Sequence, residues 1–308
     1  MARRKRGDPV HGWIVLDKPL GMTSTQAVGA VRRAFNAQKA GHAGTLDPLA
    51  TGILPIALGE ATKTVPFAVD GEKAYRFTVL WGGETATDDA EGEVTKSSDL
   101  RPSRADIEVL LPNFRGQIMQ TPPAYSAIKI DGVRAYDLAR EGEEVTIQSR
   151  PVSVHRLNLV EHDDGQTSVF EAECGKGTYV RAIARDLGRA LGCFGHVIAL
   201  RRTRVGPFDE AAASTLAEVQ AAASSDGADK QVLMALLAPC ESALTELPEL
   251  LVTQSDAASL ARGQAILIRG RDAPVATGPA YATLKGRLIA LGELDKGALH
   301  PTRVFNLA

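Results

Sequence analysis

The sequence predicts an α+β fold in two parts, a mixed core of strands and helices followed by a small C-terminal β-barrel. Three observations predict it. The chain has 308 residues, more than one average domain needs. Within the first 206 residues, stretches that alternate apolar and polar side chains are interleaved with stretches whose apolar residues recur at helical spacing. From Leu251 onward, short apolar runs are separated by Gly263, Gly270, Gly278, Gly286, Gly292 and Gly297, the pattern of strands joined by tight turns.

Taken in order, residues 1–10 open with Arg3, Arg4, Lys5 and Arg6 and read as a disordered basic arm. It is either a solubilising tail or an arm that touches phosphates. Trp13–Leu16 is a short apolar strand, broken by Asp17-Lys18-Pro19 because proline fixes its own φ and biases the preceding residue away from helix. Thr23 or Ser24 caps a helix that places Val28, Val31 and Phe35 on one face. Residues 40–63 carry four glycines and two prolines, which argues for a loop with a specific backbone path rather than a helix. In AYRFTVLWG, alternation puts Tyr75, Phe77, Val79 and Trp81 on one face of a strand and Arg76 and Thr78 on the other. ETATDDAEGEV reads as a turn with a hairpin return, and residues 101–112 as a capped helix. The stretch PPAYSAIKIDGVRAYDLAREGEEV, with an Asp-Gly turn at 131–132 and a short helix over 133–140, reads as a projecting insertion. VFEAEC is a strand with Phe170, Ala172 and Cys174 inward. GKGTY then turns into a helix with apolar positions Val180, Ile183, Ala184, Leu187 and Leu191. HVIALRRTRVGPF is a strand with a basic cluster, residues 207–245 read as helical, and Pro248 marks a break before the barrel.

Composition narrows the classes. Hydrophobic residues make up 44% and charged residues 23%, ordinary for a globular protein with a proper core. No stretch approaches the ~18 consecutive apolar residues that span a bilayer, and the basic N-terminus lacks the apolar run of a secretory signal. Cys174, Cys193 and Cys240 are odd in number, far apart and without a CxxC pair. A disulfide framework and a zinc knuckle are therefore disfavoured, and a reducing cytoplasm fits. The formal charge is −2, unevenly spread: residues 207–250 hold one basic and eight acidic residues, residues 251–308 seven and four. The chain outside the acidic stretch is mildly basic, which is compatible with a polyanionic partner.

The span 40–63 is the least ordinary, offering His42, Thr45, Asp47 and Lys63 on a glycine-rich backbone. From spacing alone, Asp47 is either a turn residue before Pro48 or a reactive carboxylate, and His42 either a structural hydrogen-bonding histidine or a functional one. Tyr75 reads as a core aromatic or a stacking surface, and Arg181 as a helix-start residue or a counter-ion, the plainer reading coming first for each.

The longer string GHAGTLDPLATGILPIALGEATK resembles the catalytic motif of the TruB family of tRNA pseudouridine synthases. GWIVLDKPLGMTS resembles that family's opening strand and turn, KAYRFTVLWGGETATDDAEG its second motif and PPAYSAIKIDGVRAYDLAREG its inserted arm. GTYVRAIARDLG is similar to its third motif and HVIALRRTRVGPF to its closing strand. Together these cover most of residues 11–208 in the family's order. The resemblance implies a catalytic domain over 11–247, built on a large, mainly antiparallel mixed sheet with flanking helices and carrying an RNA-clamping insertion at about 121–145. It implies a PUA-like RNA-binding domain over 248–308, whose QSDAASLARGQAI and LHPTRVFN look similar to that domain's start and finish. The implied activity is isomerisation of uridine 55 to pseudouridine in the TΨC loop of tRNA. No cofactor and no metal are expected, nor a membrane or an obligate protein partner. The expected protein is a cytoplasmic monomer.

The resemblance also carries residues over. Asp47 matches the catalytic aspartate, Tyr75 the tyrosine that packs on the target base, and Arg181 the basic partner of the aspartate. His42, Tyr179 and Leu200 match positions lining the substrate pocket, and Lys63 and Asp89 polar positions around it. These residue types suit the reaction. A glycosidic bond breaks, the uracil turns while bound, and a C–C bond forms, with no redox step or group donor. An ionised carboxylate can attack ribose C1′ or uracil C6, or assist loss of the C2′ proton to give a glycal. A guanidinium ~4 Å away contributes on the order of 4 kcal/mol of attraction at an effective dielectric near 20, keeping the carboxylate ionised and oriented. The target base is flipped out to be reached, at a cost of a few kcal/mol. Lys129, Arg134 and Arg140 of the insertion, and Arg32, Arg33, Arg201, Arg202 and Arg204 elsewhere, are candidate RNA contacts. Three other readings compete: a guide-dependent pseudouridine synthase, a tRNA-folding factor for which Asp47 is dispensable, and a glycosidase with a carboxylate pair. The last lacks an obvious second acid.

Overall fold

The structure, a computed structural model, describes residues 7–126, 128–130, 133–134, 147–163, 165–224, 230–268 and 277–307. Its strands in the first part are β1 (Gly12–Lys18), β2 (Ala40–His42), β3 (Ala50–Leu58), β4 (Lys73–Trp81), β5 (Gly83–Thr85), β6 (Val94–Ser97), β7 (Gly116–Gln120), β8 (Lys129–Ile130), β9 (Val133–Arg134), β10 (Arg150–Asp163), β11 (Thr167–Cys174), β12 (Gly195–Val205), β13 (Phe208–Asp209) and β14 (Ser214–Thr215). The helices among them are α1 (Ser24–Ala34), α2 (Val65–Asp70), α3 (Arg104–Leu110), α4 (Val180–Ala190), α5 (Leu216–Ser224) and α6 (Lys230–Ala235). The C-terminal part has β15 (Glu249–Leu251), α7 (Gln254–Ala261), β16 (Ile266–Leu267), β17 (Gly278–Leu284), β18 (Arg287–Asp295) and β19 (Ala298–Val304).

The large sheet runs β14-β1-β3-β12-β4-β11-β10-β7, with β13 and β2 attached to β12 and β3. Only β1–β14 and β12–β3 pair in parallel, so the sheet is mixed and mainly antiparallel, as expected. Alternation on β4 and β11 puts Phe77 opposite Phe170, with rings stacked 5.3 Å apart and Trp81 edge-on to Phe170. Helix α4 covers this face with Val180, Ile183, Ala184 and Leu187. Burying the valine, isoleucine and leucine stabilises by roughly 1.5–3 kcal/mol each. Thr23 caps α1 in a reciprocal box with Gln26, and the apolar stripe Ala27, Val31 and Phe35 packs on Ile14, Leu16 and Ile56.

The span 40–63, expected as a loop, is instead largely strand: β2, a turn over residues 43–49, nine-residue β3, and a 3-10 turn at Gly59–Lys63. Ala50–Leu58 is buried at eight of its nine positions, and a strand covered on both faces shows a continuous apolar run without alternation. Gly52 has φ +96°, and a Cβ there would lie 2.2 Å from the Arg202 carbonyl oxygen, so only glycine lets β12 approach β3 at this point. Residues 207–245, expected as helical, contain only α5 and α6 as α-helices among the described residues. Gly206 turns β12 back into β13, and β14 extends the sheet beside β1, so strand pairing overrides the alanine-rich helix preference. Gly7–Val10, read as part of a free arm, is docked: Asp8 N bonds Asn36 O at 2.6 Å and Val10 is buried. Arg3, Arg4, Lys5 and Arg6, the turn at 131–132, the helix expected over 133–140 and Arg140 lie outside the described residues, except for β9.

The C-terminal sheet runs β15-β17-β18-β19-β16 around Leu260 of α7, a half-barrel rather than a closed barrel. It is not an appended bead. Leu288, Leu291 and Phe305 share one apolar cluster with Trp13, Val205 and Phe208 of the large domain. No described helix is long and apolar enough to cross a membrane.

Candidate active site

The turn over residues 43–49 is held from every side by groups that no periodicity would mark. Ser24, at the buried start of α1, donates from Oγ to Leu46 O at 3.0 Å and accepts from Leu46 N at 2.8 Å. Gly21 N donates to Pro48 O at 2.8 Å. Lys18 is fully buried and its Nζ caps Pro19 O and Met22 O at 2.9 and 2.7 Å, closing the neighbouring loop. Burial brings the Lys18 amine down to about 8, opposed by the nearby Asp47 charge. From β12, Arg202 donates to Ile53 O, Gly44 O and Thr45 O at 2.8, 3.1 and 3.3 Å.

This scaffold presents the Asp47 side chain, 39% exposed, to a guanidinium that is nearly dry. Arg181 sits in the first turn of α4. Its Nη2 lies 2.8 Å from Asp47 Oδ2 and donates to Tyr125 O at 3.0 Å. Its Nη1 lies 3.1 Å from Asp89 Oδ2 and donates to Thr87 O at 2.8 Å. The terminal nitrogens are thereby committed, and Asp89, itself buried, orients Arg181 from behind. One turn along α4, Arg185 Nη1 meets buried Asp88 at 2.8 Å, Nε holds Asp186 at 2.8 Å, and Nη2 donates to Thr121 O at 2.7 Å. Burial pushes the Asp88 carboxyl up to about 6 despite its arginine neighbours.

Tyr75 on β4 pairs in register with Arg202 of β12. Burial raises the Tyr75 hydroxyl above its ordinary range, against the pull of Arg202, so the phenol stays neutral. Arg202 therefore overturns one expectation. It is 2% exposed and bound to three backbone carbonyls, a scaffold cation rather than a phosphate contact. Arg201 is likewise occupied by Asp17 and Glu210, and Arg204 by Glu72 and Glu173.

Two cavities open on this cluster. The smaller, about 270 Å³, is lined by Asp47, Tyr75, Tyr179, Arg181, Leu200 and Arg202, and also by Ser126. The larger, about 950 Å³, takes in His42, Asp47, Asp89, Arg181 and Tyr125. Asp47 and Arg181 line both. The structure thus brings together Asp47, Tyr75, Arg181, Tyr179 and Leu200, and sets Asp89 behind Arg181. His42 faces the neighbouring cavity, kept neutral by burial and by Arg202. Lys63 is not part of the cluster. Its Nζ pairs with Glu60 at 2.5 Å, donates to Val304 O at 2.6 Å and lies over the Phe305 ring, so it fastens the C-terminal domain. Tyr179 precedes α4, where Gln120 Oε1 accepts from its N and Gln120 Nε2 donates to its O at 2.8 and 3.1 Å. Gln120, Ser24 and the scaffold role of Arg202 escape sequence reasoning. Each is a single polar residue whose partner is backbone far along the chain.

The smaller cavity offers a flat aromatic wall, an apolar floor and one accessible carboxylate, a setting for an ionised nucleophile on a planar base. Among the described residues no cluster of histidine, cysteine and carboxylate side chains has metal-ligand geometry.

The chain is similar to known pseudouridine synthases. The family model described as TruB family pseudouridylate synthase (N terminal domain) matches residues 32–180, and that described as tRNA pseudouridylate synthase B C-terminal domain matches residues 181–245. A protein named tRNA pseudouridine synthase B from Bradyrhizobium diazoefficiens is 61% identical over 99% of this chain and 88% of its own. One of the same name from Agrobacterium fabrum is 55% identical over 98% of this chain and 97% of its own. A solved chain from a Cbf5-Nop10-Gar1 complex superposes with a TM-score of 0.72 at 27% identity, covering 96% of this chain and 84% of that one.

Proposed function

The chain belongs to the TruB family of pseudouridine synthases, which isomerise uridine to pseudouridine in tRNA, and from that premise we propose that its target is uridine 55 of the TΨC loop and that Asp47 carries the chemistry. The observation that carries the reading is the ion pair of Asp47 with Arg181 at 2.8 Å, on the wall shared by a base-sized cavity and a larger one.

On this reading the everted uracil enters the smaller cavity, stacks on Tyr75 and rests on Leu200, while adjoining nucleotides occupy the larger cavity beside His42. The Asp47 carboxylate, ionised and aimed by Arg181, meets the nucleoside, and the glycosidic bond breaks with the base still enclosed. The base turns, its C5 bonds to ribose C1′, and the C5 proton is lost while the freed N1 takes one up, so that substrate and product are isomers. Tyr75, neutral and set opposite Arg202, serves as a stacking face and hydrogen-bond donor rather than a free phenolate. Enclosure matters because electrostatic contacts strengthen where water is excluded. Asp89 acts through Arg181, and Lys63 takes no part in substrate binding. Arg32 and Arg33, on the exposed side of α1, and the insertion are the candidate RNA contacts left once Arg201, Arg202 and Arg204 are assigned to ion pairs and scaffold. The division at 247/248 into catalytic and PUA-like parts, a monomeric state and a cytoplasmic location belong to the same proposal.

A guide-dependent synthase would need further components, and one experiment separates the two readings. The purified chain is incubated with an unmodified tRNA transcript, without guide RNA or protein partner, and pseudouridine is mapped by chemical labelling. Conversion at position 55 alone is expected. Absence of conversion without added factors would overturn the proposal.

A further inference from the structure

Beyond the groups already assigned, one residue lining the smaller cavity carries a polar atom without a partner among the described residues. Ser126 is 4% exposed, and its Oγ is buried with no hydrogen-bond partner among the described residues. Yet Ser126 lines the cavity of Asp47, Tyr75 and Arg181. Its place is fixed from both sides: its N donates to Ala124 O at 3.1 Å, and the preceding Tyr125 O accepts from Arg181 Nη2 at 3.0 Å. The guanidinium that aims Asp47 therefore also sets the height of Ser126. A dry hydroxyl forgoes its bonds to water without replacing them, and such groups are uncommon unless something else completes them.

The chemistry of uracil supplies a partner. Its outer edge presents O2, N3–H and O4. Moving the glycosidic attachment from N1 to C5 amounts to a half-turn about the line through N3 and C6. That turn exchanges O2 with O4 and leaves N3–H in place. A group facing this edge meets a carbonyl oxygen both before and after the turn. Serine suits the task because its hydroxyl rotates and both donates and accepts. We propose that Ser126 is a substrate-contacting residue whose Oγ–H donates to a carbonyl oxygen of the everted uracil and finds the equivalent oxygen once the ring has turned. This rests on the reading that the smaller cavity receives the uracil.

The test compares the full chain with Ser126→Ala on tRNA transcripts carrying uridine, 2-thiouridine or 4-thiouridine at the target position, since sulfur accepts hydrogen bonds weakly. Ser126→Ala is expected to lower the single-turnover rate at saturating enzyme about tenfold. Its tRNA Kd stays within about threefold of wild type, because the stem is held elsewhere. Its melting temperature does not fall, because the replaced hydroxyl was unpaired. One thio substitution slows wild type and leaves Ser126→Ala no slower than it is on uridine. An unchanged rate, a melting temperature that falls with the rate, or an equal thio penalty in both proteins would each overturn the contact. If Ser126→Ala does not fold, Ser126→Cys, similar in shape but a weak donor, decides by the same thio comparison. An Asp47→Asn control that still turned over would instead overturn the site reading itself.

Discussion

Replacing Arg181 separates charge from geometry. In Arg181→Met, Asp47 loses a counter-ion now 2.8 Å away, and Asp89, 3% exposed, is left as a stranded buried charge. Full attraction for charge centres near 4 Å is on the order of 4 kcal/mol, but Asp47 is 39% exposed, so solvent screening reduces this to about 2 kcal/mol. That corresponds to roughly 30-fold in rate. Loss of orientation adds about 100-fold, the effect of a displaced reacting group. A fall of about 1,000-fold or more is therefore expected in single-turnover pseudouridine formation, with roughly 3–5 kcal/mol of stability lost through Asp89. Arg181→Lys keeps the charge, yet one ammonium cannot span two carboxylates and two carbonyls. It should lose only the orientation part, about 100-fold, and less stability. Rates are read by pseudouridine-specific labelling and stability by urea unfolding. A folded Arg181→Met with more than about a tenth of the wild-type rate, or Lys and Met variants of equal rate, would refute the reasoning.

Two further predictions concern groups around the site. The Asp88 carboxyl lies near 6 in the folded chain against 3.8 for the ordinary group, so between those values the folded state holds a proton that the unfolded state has released. Its contribution to stability is therefore present at low pH and lost as pH rises through about 6; measured as wild type minus Asp88→Asn, it should be about 1 kcal/mol larger at pH 5 than at pH 8, and a pH-independent difference would contradict this. Lys63→Ala should leave the single-turnover rate within about twofold of wild type while lowering stability by about 1 kcal/mol, and a catalytic loss without a stability loss would return Lys63 to the site.

Much of the fold was legible because its signals are local. The two-residue alternation of β4 and β11 placed Phe77 and Phe170 inward, and the stripe of α4 placed Ile183 and Leu187 against them. Strand β3 escaped because burial on both faces removes alternation, and its glycine and proline imitate a loop. The candidate site was legible only where residues sit in long ordered motifs, as Asp47, Tyr75 and Arg181 do. Lys63 belongs to the same string and was misplaced, since a 3-10 turn after β3 carries it to the C-terminal domain. Arg202 looked like one of three equivalent arginines. Register alone sets it apart, by placing it opposite both Tyr75 and Gly52. Ser126 gave no signal in sequence, because an unpartnered hydroxyl is a property of three-dimensional surroundings.

The central claim is that one carboxylate, held by one guanidinium, performs the isomerisation. Its most direct test measures tRNA binding and position-55 conversion together for wild type and Asp47→Asn, which keeps the shape of the side chain and removes its charge. The account predicts binding within about threefold of wild type and no detectable pseudouridine, even at long times with enzyme in excess. Conversion by Asp47→Asn at a rate near that of wild type would contradict it.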